Sequence, residues 1–142
     1  MRYQPKHFST EELLPPDLFT FERDFGLYRI DDRILWTIDS IRDYFQKPLI
    51  VNNWKSGGSF SQRGYRNDPN TGAKFSAHRF GRACDLDIQD TTSEEFRNMV
   101  KTGKLKEQLK YITRIEEGVK WIHIDVMGLP REFDEEIEFF HA

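Results

Sequence analysis

The chain has 142 residues, the length of one domain (1–142), and can bury a modest core without disulfide staples. Its net charge of −3 at pH 7 excludes the basic face expected of a nucleic-acid binder, and its single cysteine, Cys84, excludes an intrachain disulfide. No apolar run approaches the roughly 20 residues of a membrane-spanning helix. The opening segment, Met1 to Phe8, lacks the apolar stretch of a signal peptide, so the expectation is a product made in a cytoplasm with no export address of its own.

Taken in chain order, Ser9-Thr10-Glu11-Glu12 reads as a helix start with Glu12 closing a capping box, cut short by Pro15-Pro16. Asp31 or Asp32 caps the next helix, where Ile34, Leu35, Ile38, Ile41 and Phe45 form one apolar stripe before Pro48. Leu49-Ile50-Val51 reads as a short buried strand. Asn52 to Phe75 is loop-like, punctuated by Gly57-Gly58, Gly64, Asn67-Asp68-Pro69-Asn70 and Gly72. A loop of that length in a small domain commonly carries function.

Ala83 to Ile88 alternates as a strand, with Asp85 and Asp87 on one face and Cys84, Leu86 and Ile88 on the core side. Thr92 and Glu95 make a second capping box ahead of Phe96, Met99 and Val100, and Leu105 and Leu109 continue a helical pattern after Gly103. Lys101, Lys104, Lys106 and Lys110 read as a solvated helix face. Tyr111–Glu116 and Val119–Val126 look like a hairpin turning near Gly118, and Glu136–Phe140 an added edge strand. The expected fold class is α+β, helices packed on a small antiparallel sheet.

Two stretches carry the chemistry: Ser76-Ala77-His78-Arg79-Phe80-Gly81-Arg82-Ala83-Cys84-Asp85, and Trp121-Ile122-His123-Ile124-Asp125. His78, Asp85 and His123 offer two imidazoles and a carboxylate, a set that holds one zinc ion and leaves a position for water. Asp125, two residues on, faces the same side as His123 and would either orient it or replace Asp85 as ligand. Cys84 points away and reads as a small buried hydrophobe.

Ser76, His78, Gly81, Ala83 and Asp85 match S-x-H-x-x-G-x-A-x-D, and Trp121, His123 and Asp125 match a later W-x-H-x-D. Together these resemble the zinc D-Ala-D-Ala carboxypeptidase and endopeptidase family of peptidoglycan peptidases, which has the Hedgehog/DD-peptidase fold. Asn52-Asn53-Trp54, Gly58 and Arg63-Gly64-Tyr65-Arg66 are similar to the upstream segment of phage-type members. The resemblance implies Zn2+ held by His78, Asp85 and His123 and cleavage of peptide bonds in cell-wall stem peptides. It suggests a phage-type endolysin or virion-associated lysin, acting at the cell wall or in the virion with a virion or holin partner.

Many family members place an acidic or imidazole base two or three residues before the last ligand, where this chain has Trp121 and Lys120. The hairpin offers a substitute. With Gly118-Val119 at its tip, Glu116 lies opposite Trp121, Arg114 lies opposite His123, and Glu116 becomes a diagonal neighbour of His123 on the same face. A one-residue bulge would bring Glu117 there instead. Arg66, or else Arg63, offers a planar fork for a substrate carboxylate. Ser76 would bond substrate or fix the His78 loop, and Trp121 would line the cleft or pack in the core. The alternative to an enzyme is a non-catalytic, metal-stabilised structural or binding protein of a virion.

Overall fold

The computed structural model describes residues 2–142. Ser9 and Glu12 form the expected capping box, but it closes only a 3-10 turn at Thr10–Glu12. The proline pair does not stop a helix. Helix α1 (Pro16–Glu22) begins on the second proline, where the missing N–H is unpaired in any helix. Asp31 caps α2 (Asp32–Phe45) by accepting from Arg33 N at 2.9 Å. Ile34, Leu35, Ile38 and Ile41 of α2 are buried as the stripe requires. On the same helix, buried Asp39 accepts from the Tyr3 hydroxyl at 2.6 Å, Lys6 N at 2.7 Å and His7 N at 3.0 Å. A single carboxylate thus ties the N-terminal segment across the domain.

Five strands follow: β1 (Leu49–Ile50), β2 (Ala83–Ile88), β3 (Arg114–Glu116), β4 (Ile122–Asp125) and β5 (Glu138–Phe140). They form one sheet in the order β1-β2-β4-β3-β5. The pairs β1/β2, β2/β4 and β3/β4 are antiparallel, whereas β5 runs parallel to β3. The α+β architecture stands, with a mixed sheet in place of a wholly antiparallel one. The chain leaves β4, crosses the end of the sheet through residues 126–137, and enters β5 in the direction of β3. Cys84, Leu86, Ile88, Ile115, Ile122 and Ile124 turn one face of the sheet into the core shared with α2 and Phe96.

Two expectations need correction. Helix α3 (Ser93–Lys101) ends at Thr102, and the residues from there to Tyr111 form turns rather than a continued helix, although Leu105 and Leu109 are both buried. Arg131 holds the end of this turn segment. Its guanidinium donates to Leu109 O at 2.8 Å and Ile112 O at 2.6 Å, satisfying carbonyls left at the end of the segment. The hairpin register is also different. Arg114 pairs with Asp125 and Ile115 with Ile124, so Arg114 is not opposite His123, and Glu116 is not opposite Trp121. The connection is wider than a tight turn at Gly118-Val119, and Arg97 of α3 braces it by donating to Val119 O at 3.1 Å. The slip is two residues, so side chains keep their faces.

The stretch from Asn52 to Phe75 contains no strand and one 3-10 turn, Trp54–Ser56. Buried Asn52 anchors it, donating to Leu14 O at 3.2 Å and accepting from Arg63 N at 3.0 Å. Asp85 N donates to Arg63 O at 2.8 Å and Arg66 N to His78 O at 3.2 Å, which lays this loop beside the polar face of β2.

Candidate metal centre

Strand alternation puts Asp85 of β2 and His123 of β4 on the face away from the core, and the β2/β4 register sets them directly opposite each other. His78 arrives from the 3-10 turn Ala77–Phe80, which Ser76 caps by accepting from His78 N at 3.3 Å. That turn ends at Gly81, whose φ is +69° and whose missing Cβ would sit 1.7 Å from Arg29 O. Only glycine fits there, and its place fixes where His78 stands relative to β2.

Three atoms face one another: His78 Nε2, His123 Nδ1 and Asp85 Oδ1. Their separations are 3.3 Å between the two nitrogens, 2.9 Å from His123 to Asp85 and 3.2 Å from His78 to Asp85. A tetrahedral zinc with bonds of about 2.0–2.1 Å needs ligand atoms about 3.3–3.4 Å apart. A contraction of a few tenths of an ångström separates the two, so the donor set fits zinc in both chemistry and spacing. All three residues are buried, at 2%, 6% and 6% exposure for His78, Asp85 and His123.

Outer partners fix which nitrogen faces inward. His78 Nδ1 lies 3.0 Å from the Gly64 carbonyl, which can only accept, so Nδ1 carries the proton and Nε2 presents its lone pair. His123 Nε2 donates to Asp125 Oδ2 at 2.9 Å, leaving Nδ1 inward. Asp125 is fully buried and gripped by Arg114 through two bonds of 3.0 Å and 2.9 Å, with a third from Met127 N at 3.1 Å. Asp125 therefore orients His123 from behind and does not take the place of Asp85.

Electrostatics make the cluster a cation trap. Burial opposes charge on Asp85, but in the metal-free cluster, where protons take the place of the metal on the inward nitrogens, the positive charge and hydrogen bonds of the two imidazoles hold its carboxyl well below the usual range. Burial likewise opposes charge on His123, and the hydrogen bonds and charges of Asp125 and Asp85 outweigh it, raising its pKa to about 9. A proton on His123 thus competes with a metal ion for the same lone pair. In chelator-stripped protein the raised pKa adds stability that is fully present below about pH 6.5 and lost as pH climbs through about 9. Urea unfolding of stripped protein across that window is expected to show a fall on the order of 3 kcal/mol. Zinc-loaded protein should show no such fall, because the metal requires the deprotonated imidazole. Equal pH dependence in the two forms would refute the coupling.

Other expected residues fall into place around this cluster. Glu116 lies on β3 beside β4, its carboxylate 3.9 Å from His123 Nδ1 and largely buried. It is a direct neighbour of His123 rather than a diagonal one. Glu117 points elsewhere, to Lys101 at 2.6 Å. Arg66 brings its Nη2 to 3.7 Å from Asp85 Oδ2 and donates to the Ser76 hydroxyl at 3.2 Å. Arg63 instead pairs with Asp87 at 2.9 Å and stacks over Phe60. Trp121 is half-exposed rather than core. Cys84 is buried in the core, and burial, with Asp85 adding to it, pushes its thiol pKa far up, so it is no nucleophile or ligand.

Sequence reading missed Arg97, the Gly64 carbonyl and the Arg114–Asp125 clamp. The first two leave no pattern in the sequence. The clamp follows from the correct hairpin register alone.

An α+β domain whose sheet face converges two imidazoles and a carboxylate on one point defines a protein with a candidate metal site. The Peptidase M15 family model matches residues 7–125, and the chain belongs to that family, whose members are zinc metallopeptidases. No curated protein and no solved structure gives a significant match. The matched segment covers α1, α2, α3 and β1 to β4 and ends on Asp125, the residue that orients His123.

Proposed function

We propose that this chain is a zinc-dependent peptidase that cleaves peptide bonds in the stem peptides of bacterial peptidoglycan, as a phage-type endolysin or virion-associated lysin. The observation that carries the reading is a carboxylate, Glu116, held 3.9 Å from the inward nitrogen of His123, beside a His-Asp-His cluster in a Peptidase M15 chain. His78, Asp85 and His123 would hold the ion. Bound zinc supplies Lewis-acid polarisation of the scissile carbonyl and a water of lowered pKa.

The chain's own residues do the rest. Glu116 takes a proton from the attacking water and delivers it to the departing amine, the role for which the positions before His123, Lys120 and Trp121, are unsuited. Arg66 presents guanidinium donors beside the cluster and holds a peptide carboxylate, with Ser76 fixing both Arg66 and the His78 turn. Asp125 and Arg114 keep the His123 ring aligned while the neighbouring charges change. The rival reading, a metal-stabilised virion component without turnover, drew its support from the missing acid before His123. Glu116 supplies that acid from the adjacent strand.

Among the described residues no helix is long and apolar enough to cross a membrane. We place the protein's synthesis in a host cytoplasm and its action at the wall, reached through a holin-type partner or carried by a virion. Zinc-loaded protein incubated with purified peptidoglycan should release new amines, and mass analysis of the fragments should locate one cleaved peptide bond type. Intact stem peptides after prolonged incubation with stoichiometrically loaded protein would contradict the reading.

A further inference from the structure

The registers place more than the metal cluster on the polar face of the sheet. Asp85 lies opposite His123, the β3/β4 register continued by one residue brings Glu116 beside His123, and the parallel β3/β5 register sets Phe140 beside Glu116. Asp85, His123, Glu116 and Phe140 therefore form one row across four adjacent strands, all facing the same way. The next row along is Ala83, Asp125, Arg114 and Glu138. Phe139, by alternation, turns to the core.

Phe140 is in contact with the site. Its ring centroid is 5.6 Å from that of His123, edge to face at 79°, and the Arg114 guanidinium lies 4.1 Å over it. Its carbonyl accepts from Glu117 N at 2.7 Å, which locks β5 against the end of β3. The strand lies beyond the segment that the family model matches. It is held in place from a distance by Arg131, which also donates to Glu135 O at 2.8 Å.

We propose that Phe140 is a specificity-determining wall of the substrate groove, selecting a methyl-sized apolar side chain beside the cleaved bond. The proposal rests on the peptidase reading above. Arg66 stands beside Asp85 at one end of the row and Phe140 forms the other end, the backbones of Asp85 and Phe140 lying three strand spacings or about 14 Å apart, the span of roughly four extended residues. A peptide anchored by its carboxylate on Arg66 and crossing Glu116 lays the residue on the far side of the bond against Phe140. Arg114 covers one face of the ring and His123 packs against it at a steep angle, so the apolar surface left to a substrate side chain is small. An acidic side chain there meets the carboxylates of Glu116 and Glu138 with no free cation, because Arg114 is committed to Asp125.

The test uses zinc-loaded protein and stem-type peptides that differ only at that residue: alanine, glycine or aspartate. The native protein should prefer alanine over glycine by about tenfold in kcat/KM, mostly through KM. Phe140→Ala should reduce the preference to about twofold or less while zinc stoichiometry stays unchanged, with Phe140→Leu intermediate. The same peptides are titrated onto zinc-loaded protein by intrinsic tryptophan fluorescence at low temperature, giving a readout that needs no turnover. Native protein that binds with this preference but cleaves nothing would sink the peptidase reading and keep the wall. An alanine preference that survives in folded Phe140→Ala or Phe140→Leu, or no preference in native protein, would overturn the wall.

Discussion

Glu116→Gln is expected to keep its zinc and lose about a thousandfold in kcat. Glutamine has the same shape and still fills the space beside His123, but it cannot accept a proton at neutral pH. Any loss therefore measures proton transfer rather than packing. KM should change little, since substrate anchoring is assigned to Arg66 and to the groove. Glu116→Asp withdraws the carboxylate by one methylene and should fall between. Glu117→Gln is the control: that side chain is engaged with Lys101 at 2.6 Å and stands away from the cluster, so kcat should stay near native. Metal content by atomic absorption and turnover on a defined stem peptide check the set. Activity within about tenfold of native in Glu116→Gln would move the base to another residue.

Asp85→Ala should weaken zinc binding far more than Asp125→Asn, measured by competition with a chromophoric chelator. Asp125 touches only the outer nitrogen of His123, and changes at such positions typically cost about 10–100-fold in affinity. Asp85 contributes one of the three inward donor atoms and the negative charge that draws a cation into a buried site. Its removal leaves two imidazole nitrogens 3.3 Å apart with Glu116, 3.9 Å from His123 Nδ1, as the nearest carboxylate and out of line as a ligand, and the loss should exceed the upper end of that range. In the Asp125→Asn variant Arg114 is left with a neutral partner, which should also lower unfolding stability, because a largely buried ion pair loses one member. The reverse ranking would make Asp125 the ligand and Asp85 the orienting group.

The local elements and the ligand set were legible in the sequence because each rests on short-range chemistry. Two capping boxes, the Asp31 cap, the stripe on α2 and the alternation from Ala83 to Ile88 all stand in the structure. Ser76, Gly81 and Ala83 bracket His78 and Asp85 tightly enough that their convergence follows from backbone geometry over ten residues. Where sequence reading failed, the deciding partner was remote. Arg131, remote in sequence, holds the carbonyls of Leu109 and Ile112 at the end of the turns that follow α3.

By itself, then, the sequence determined an α+β domain, a metal-binding triad and an acid near the end of the first hairpin strand, since these depend on residue type, spacing and a period of two. Tertiary structure alone decided the hairpin register, and with it which acid faces the cluster. It also decided the tautomer of each imidazole, the choice of Asp85 over Asp125 and the arrival of Phe140 at the site. The physical reason is that each of these is set by hydrogen bonds between segments far apart in the chain: Arg97 bracing the 117–121 connection, the Gly64 carbonyl on His78, Arg114 on Asp125. No local pattern encodes which carbonyl or guanidinium folding will bring there.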